Sequence, residues 1–190
     1  MTPLPWTLLP DTATVGPAGQ LMIGGCNTLA LAEQFGTPLF VYDELHLRAR
    51  CREAVAAFGD GVAYATKAFL CKAMAALAHE EGMWLDVATG GELEVAIAAG
   101  VPAERLVVHG NNKSDAELRT ALLAGVGRIV VDSFDELGRL DRLVPEIRVA
   151  PPPILVRVTP GVEAHTHEYV RTGQDDSKFG FTLSPGLAAE

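Results

Sequence analysis

The sequence is poor in three features that define common classes of protein. No run approaches the roughly 18 consecutive apolar residues that span a membrane, so we expect no membrane association. The amino-terminal residues contain prolines and lack a basic stretch, which argues against a secretory signal. Positive charge is also scarce, and the formal net charge of −9 disfavours nucleic acids and anionic membranes as partners.

Cysteine is scarce too. Cys26, Cys51 and Cys71 are an odd number without paired spacing, which predicts neither a disulfide framework nor a metal site. His165 and His167 have a spacing seen in some metal sites, but no Asp or Cys stands in supporting register, so we expect no metal there. Together these features favour a reducing, cytoplasmic location.

Lysine is rare as well, with four lysines against eleven arginines, so it does not serve as general surface charge. Lys67 follows the run Val62–Ala65, which predicts a strand buried on both faces of a parallel sheet. Ligands bind at the carboxyl ends of such strands. A partly desolvated lysine there can use its neutral amine to form a Schiff base with a carbonyl group. A lysine that reaches into solvent is the alternative interpretation.

From Val62 onward the sequence repeats one architectural unit, roughly 20 to 26 residues long, which is the length of a strand, a loop and a helix. The predicted strands begin near Val62, Met83, Leu106, Arg128 and Ile154. Three helices are predicted to begin with capping boxes, formed by Thr89 with Glu92, Ser114 with Glu117, and Ser133 with Glu136. Helices are predicted to end at Gly82, Gly100 and Gly125.

This alternation predicts consecutive right-handed βα units and therefore a parallel α/β sheet. Five strands are compatible with an open sheet or with part of a (β/α)8 barrel. A complete barrel takes about 250 residues, so we expect this chain to be the amino-terminal part of a larger protein.

The residues before this repeat have a different character. They are rich in Pro, Gly and Thr, and we interpret them as a leader with a short helix near Thr28–Phe35 that Gly36 ends. Residues 38–42 predict a strand. Asp43 is placed to cap a helix that follows it over Glu44–Phe58.

Charged and polar side chains stand at the predicted strand ends. Asp86 ends the strand next to the one that carries Lys67, so it could pair with the lysine or position it; an aspartate that faces water is the alternative. Arg157 lies inside an apolar strand, where its charge must be paired or must face an anion. Further candidates for the rim of the site are Glu92, His109, Asn111, Asn112 and Lys178. Helix capping for Glu92 and a solvated turn for the residues after His109 are the alternatives.

Five motifs in a fixed order carry a family resemblance: YATKAF, DVATGGEL, VHGNNKS, RVTPGVEAHTHEY and SKFGF. With them the chain resembles the fold-type III pyridoxal-phosphate-dependent decarboxylases, whose barrel is shared with alanine racemase. The stretches VHGNNKS and THEYVRTG are more similar to the diaminopimelate branch than to the ornithine or arginine branches.

The resemblance implies an architecture and an activity. Residues 43–190 would form the first part of a pyridoxal-phosphate-binding (β/α)8 barrel, and residues 1–42 would belong to a second β domain. Lys67 would hold pyridoxal 5'-phosphate covalently, with Asp86 and Arg157 at the cofactor. The implied reaction converts meso-2,6-diaminopimelate, a small amino-acid substrate, into L-lysine and CO2 in a homodimeric enzyme. A decarboxylase of another amino acid and a non-catalytic pyridoxal-phosphate-binding remnant are the alternatives.

Overall fold

The computed structural model describes residues 5–160 and 179–182. Two compact units make up the chain, the first ending at Asp60 and the second beginning at Gly61. Within the described residues, no helix combines the length and the apolar character needed to cross a bilayer.

The first unit contains a small antiparallel sheet and two helices. Its strands are β1 (Thr14–Val15), β2 (Leu21–Ile23) and β3 (Cys26–Asn27), paired in that order. Its helices are α1 (Thr28–Phe35) and α2 (Glu44–Phe58), which end at Gly36 and Gly59. The Asp43 carboxylate accepts a hydrogen bond from the amide of His46 and caps α2, which confirms the predicted helix start.

The predicted strand over residues 38–42 is wrong. This segment is neither strand nor helix, and the side chain of Phe40 is 87% exposed. The run has the composition of a strand, but no described strand lies beside it to complete a hydrogen-bonded ladder. Strand propensity without a pairing partner does not produce a strand.

The second unit is built on five parallel strands, as the repeat predicts. The strands are β4 (Ala63–Ala65), β5 (Trp84–Val87), β6 (Leu106–Val108), β7 (Arg128–Val131) and β8 (Ile154–Val156). They pair in chain order, and each neighbouring pair is parallel. Consecutive parallel neighbours without a reversal are the arrangement of a partial (β/α)8 barrel.

Helices connect these strands and cover the sheet. They are α3 (Lys72–Glu80), α4 (Gly90–Ala98), α5 (Asp115–Ala124) and α6 (Phe134–Ile147). The core lies on the central strands and the helix faces that pack on them, where Leu85, Leu106 and Ile129 are fully buried. A further parallel pair, β9 (Val158–Thr159) with β10 (Phe181–Thr182), follows the five strands and was not predicted.

Two of the three predicted capping boxes are confirmed. At α4 and α5 the hydroxyl accepts from the third helical amide, and the glutamate accepts from the amide of the capping residue. The third prediction is wrong in part. Ser133 caps α6, but the carboxylate of Glu136 accepts from the amide of Asp132 and from the ammonium of Lys113 instead. A buried lysine therefore uses the side chain that the capping pattern assigned to the helix end.

Glu117 joins the starts of two neighbouring helices. One carboxylate oxygen accepts from the amide and hydroxyl of Ser114, and the other accepts from the amide of Gly90 at 3.0 Å. The backbone hydrogen bond from Ser114, followed by that from Gly90, lowers the pKa of this carboxyl group because each favours the charged form.

We expect this pKa shift to appear as pH-dependent stability. A carboxyl group whose pKa is lower in the folded state stabilises the fold above its unfolded pKa of about 4.3, and that contribution is lost as the pH falls toward the folded pKa. Glu117→Gln should therefore flatten the dependence of unfolding free energy on pH below about 4.3. Chemical denaturation at several pH values measures this, with Glu94→Gln on α4 as the control. An unchanged slope in Glu117→Gln would contradict the assignment.

Candidate active site

A cavity of about 350 Å³ opens where the strands β4, β5, β6 and β8 end at their carboxyl termini. Small-molecule sites usually measure about 300–1,000 Å³. Its lining residues are Ala65, Lys67, Asp86, Ala88, His109, Gly110, Asn111, Arg157 and Phe179. Five of the predicted candidates, at positions 67, 86, 109, 111 and 157, thus meet in one space at the ends of four strands.

Lys67 lies just beyond β4, in a single turn of 3-10 helix over Thr66–Ala68. The buried hydroxyl of Thr66 donates to the carbonyl of Asp86 at 2.9 Å, which fixes this turn against β5. No hydrogen bond or ion pair to the Lys67 amine is present among the described residues. The strand and the position of the lysine at its carboxyl end are confirmed, but the predicted burial of this strand on both faces is wrong, because Ala63 is exposed and Tyr64 and Ala65 are only partly buried.

The expected partial desolvation of Lys67 is wrong, because its side chain is exposed. The reason lies in the sheet, where β4 is an edge strand with a described partner on one side only. An amine at such an edge is open to an approaching aldehyde but has few neighbours that could remove its water.

Asp86 contacts His109 rather than Lys67. Its Oδ2 lies 3.1 Å from Nδ1 of the imidazole, and both side chains are about one-third exposed. The amide of His109 donates to the carbonyl of Val87 at 2.7 Å, which continues the ladder beyond β6 and sets the ring beside the carboxylate. A carboxylate at Nδ1 favours the proton on that nitrogen. The predicted pairing of Asp86 with the lysine is therefore corrected to a pairing with the histidine.

Gly110 gives the turn after His109 its shape. Its φ is +105°, and a Cβ at this position would lie 2.9 Å from the carbonyl oxygen of Ala88. Only glycine adopts this backbone at so close an approach without strain. The turn brings the backbone after β6 close to that after β5, and both Gly110 and Ala88 line the cavity.

Arg157 is both paired and exposed to the cavity. Its Nη1 lies 3.5 Å from Oδ1 of Asp132, and its guanidinium stacks 4.2 Å from the ring centroid of Phe179. A Cβ on Gly180 would lie 2.7 Å from the Arg157 carbonyl oxygen, so the glycine permits this packing. The two interpretations offered by the sequence, an ion pair and a residue that faces a ligand site, hold together.

The other candidates take different positions. Glu92 does not line the cavity: its Oε2 accepts from the amides of Ala88 and Thr89 at the start of α4. Asn111 lines the cavity, whereas Asn112 is exposed and does not. Lys178 lies outside the described residues, as do both histidines of the pair at 165 and 167. Among the described residues, no group of three or more His, Cys, Asp or Glu side chains is placed to hold a metal.

Sequence reasoning missed a buried charge cluster behind the cavity. Nζ of Lys113 donates to Oε1 of Glu136 at 2.6 Å, and both side chains are about 5% exposed or less. The same ammonium donates to the carbonyls of Gly110 and Val130, each at 2.6 Å. The signal that could have identified Lys113 is the rarity of lysine. A chain with four lysines and eleven arginines does not use lysine as general surface charge, so each lysine is a candidate for a specific role.

The chemistry of this rim fits pyridoxal phosphate. Lys67 offers an amine to its aldehyde, and Arg157 offers a cation to its anionic groups. The imidazole of His109, held by Asp86, adds a polar edge on the same rim. The cavity volume also suits a ligand of this size.

The comparisons with known proteins agree with this chemistry. The family described as "Pyridoxal-dependent decarboxylase, pyridoxal binding domain" matches residues 44–189. The diaminopimelate decarboxylase of Mycobacterium tuberculosis is 51% identical over 181 residues, covering 94% of this chain and 40% of that protein. The Bacillus subtilis enzyme of that name is 52% identical over 183 residues, covering 94% of this chain and 42% of its own length.

The solved structures similar to this chain are also decarboxylases. Diaminopimelate decarboxylase from M. jannaschii, in complex with L-lysine, has a TM-score of 0.82 at 31% identity, over 95% of this chain and 43% of that one. The lysine/ornithine decarboxylase of Vibrio vulnificus in complex with putrescine has a TM-score of 0.61 at 31% identity, and the match covers 69% of this chain and 35% of that one. This chain thus spans about two-fifths of the length of its relatives. It belongs to the pyridoxal-dependent decarboxylase family and matches the pyridoxal-binding domain of that family.

Proposed function

We propose that this chain forms the pyridoxal-phosphate-binding part of a decarboxylase that converts meso-2,6-diaminopimelate into L-lysine and CO2, a step of lysine biosynthesis. One observation carries the proposal: the Lys67 amine, which has no hydrogen bond or ion pair within the described part of the chain, shares a cavity with the Asp86–His109 pair and Arg157. An amine beside fixed cationic and hydrogen-bonding groups is the arrangement needed to bind an anionic aldehyde and then an amino acid.

Each side chain has a separate task in this proposal. The Lys67 amine would hold the cofactor by a covalent bond to its carbonyl carbon. Bound pyridoxal phosphate supplies an electron sink for the bond that breaks. Arg157 orients an anionic group by its fixed fork of N–H donors. Asp86 holds the His109 ring so that Nε2 is left for a ligand or for a proton.

The preference for diaminopimelate rests on the relatives. The curated diaminopimelate decarboxylases are 51–53% identical to this chain over more than nine-tenths of its length. The likeness to the lysine/ornithine decarboxylase structure covers a smaller part of the chain, at a lower TM-score. This difference favours the diaminopimelate substrate over the alternative, a decarboxylase for another amino acid.

A substrate panel tests the proposed reaction. The protein expressed from its complete gene should release CO2 from meso-2,6-diaminopimelate with kcat/KM at least about tenfold above that for L-lysine, L-ornithine or L-arginine. Faster release from ornithine or arginine would favour the other decarboxylases. Bound pyridoxal phosphate without CO2 release from any of the four would favour a non-catalytic binding protein.

We also propose that the protein is a cytoplasmic homodimer. Support for the location comes from the cysteine content, because Cys26, Cys51 and Cys71 are an odd number without the paired spacing of a disulfide framework. Support for the dimer comes from the family resemblance.

We further propose that residues 1–42 contribute to a second β domain and that residues 43–190 begin the barrel. The antiparallel strands β1 to β3 support the proposal for residues 1–42.

A further inference from the structure

Asp132, the residue after β7, carries a buried carboxylate without a hydrogen bond. Its side chain is 2% exposed, and within the described part of the chain neither oxygen has a hydrogen-bond partner. A buried carboxylate without donors is costly, so such a group is retained where its charge interacts with a nearby cation. Asp132 does not line the cavity, and it takes no part in the proposed chemistry directly.

The neighbouring ion pair cannot satisfy this carboxylate. All three N–H groups of the Lys113 ammonium are engaged, by Glu136 and by two backbone carbonyls. Glu136 uses its second oxygen to accept from the amide of Asp132 itself at 3.2 Å. These bonds hold the backbone of Asp132 in place and leave its carboxylate for another partner.

That partner is Arg157. Among the described residues, its guanidinium is the cation within ion-pair distance of Asp132, at 3.5 Å between Nη1 and Oδ1. The sheet sets the two residues side by side, since Val131 pairs with Val156 and the amide of Arg157 donates to the carbonyl of Val131. The separation is an ion contact, longer than a hydrogen bond.

We propose that Asp132 is a positioning residue that, together with Phe179, holds the Arg157 guanidinium at the cavity in the orientation that binds an anionic group of the cofactor. The carboxylate fixes one edge of the guanidinium, and the stacked ring of Phe179 fixes its plane. This inference rests on the proposed function for the identity of the ligand. The contact between Asp132 and Arg157 does not depend on it.

A merely electrostatic role predicts the opposite result. If Asp132 acted only through its negative charge, its neutralisation would raise the positive potential at the rim and tighten the binding of an anion. A positioning role predicts weaker binding, because the carboxylate no longer holds one edge of the Arg157 guanidinium in place. The sign of the change in affinity therefore distinguishes the two roles.

A double-mutant cycle on the full chain tests the proposal. The variants are Asp132→Asn, Arg157→Gln and their combination, and the two measurements are pyridoxal phosphate affinity by visible absorption titration and unfolding by denaturant. Asp132→Asn should weaken cofactor binding by about tenfold, the effect of one lost charged contact. The double variant should bind no more weakly than Arg157→Gln alone, because Asp132 acts through Arg157.

Asp135→Asn is the matched control, since this exposed carboxylate lies three residues away and pairs with Arg139 on the surface of α6. It should bind the cofactor as the parent does. Unchanged or tighter binding in Asp132→Asn, or additive losses in the double variant, would overturn the positioning role. If the parent binds no cofactor, the proposed function fails. The double-mutant cycle on the unfolding free energy then decides. Non-additive effects of Asp132→Asn and Arg157→Gln support the contact between Asp132 and Arg157, and additive effects overturn it.

Discussion

Replacing Lys113 by methionine should lower the free energy of unfolding by about 3–5 kcal/mol, the range for breaking a buried ion pair. The variant leaves the carboxylate of Glu136, which is about 5% exposed, without its counter-charge. It also leaves the carbonyls of Gly110 and Val130 without the donor that now lies 2.6 Å from each. Denaturant unfolding of the purified chain measures this effect.

Two further variants sharpen that result. Lys72→Met makes the same substitution at an exposed lysine and should change the unfolding free energy by no more than about 0.5 kcal/mol. The double variant Lys113→Met with Glu136→Leu should lose less than the sum of the two single variants, because no unpaired charge remains buried. Equal losses for Lys113→Met and Lys72→Met would contradict the buried pair.

Replacing Lys67 by alanine should abolish covalent capture of pyridoxal phosphate and reduce CO2 release by about a thousandfold or more in the protein expressed from its complete gene. The fold should be unaffected, since the lysine side chain is exposed and makes no described hydrogen bond. Its unfolding free energy should therefore stay within about 0.5 kcal/mol of the parent value. The measurements are absorbance of the bound cofactor, released CO2 and denaturant unfolding.

Lys72→Ala is the control for this prediction. Lys72 begins α3, five residues beyond Lys67, and it does not line the cavity. This variant should capture the cofactor and release CO2 as the parent does. Retained capture in Lys67→Ala would show that another amine holds the cofactor.

The sheet could be predicted from the sequence because its signals are local. Each strand is a short apolar run, and three of the four described helices that follow begin at a hydroxyl residue, Thr89, Ser114 or Ser133, whose side chain satisfies an amide only three residues away. Pairing in chain order then follows from the rule for right-handed crossovers. The segment over residues 38–42 failed as a strand because its state depends on a distant partner, which its own composition does not encode.

Some features of the candidate site could likewise be predicted from the sequence, and others could not. The edge position of Lys67 and the proximity of Asp86, His109 and Arg157 follow from strand ends meeting on one side of a parallel sheet. The pairing of Asp86 with His109 does not follow, because spacing along the chain cannot decide which of two nearby nitrogen-bearing side chains a carboxylate contacts.

The use of Glu136 was hidden for a related reason. Its position three residues after Ser133 satisfied the capping pattern, but Lys113 lies 23 residues away in sequence and takes the carboxylate. The buried ammonium of Lys113 outweighs the amide of Ser133 for this carboxylate, since leaving a buried ammonium unpaired costs several kcal/mol. Long-range competition of this kind is what sequence spacing leaves out.

The proposed function depends most on the amine of Lys67 as the group that holds the cofactor. The direct measurement is incubation of the protein with pyridoxal phosphate, reduction with borohydride and peptide mapping by mass spectrometry. We predict a single phosphopyridoxyl tag on Lys67 and none on Lys72, Lys113 or Lys178. A tag on any of those three lysines with Lys67 unmodified, or no tag at all, would contradict it.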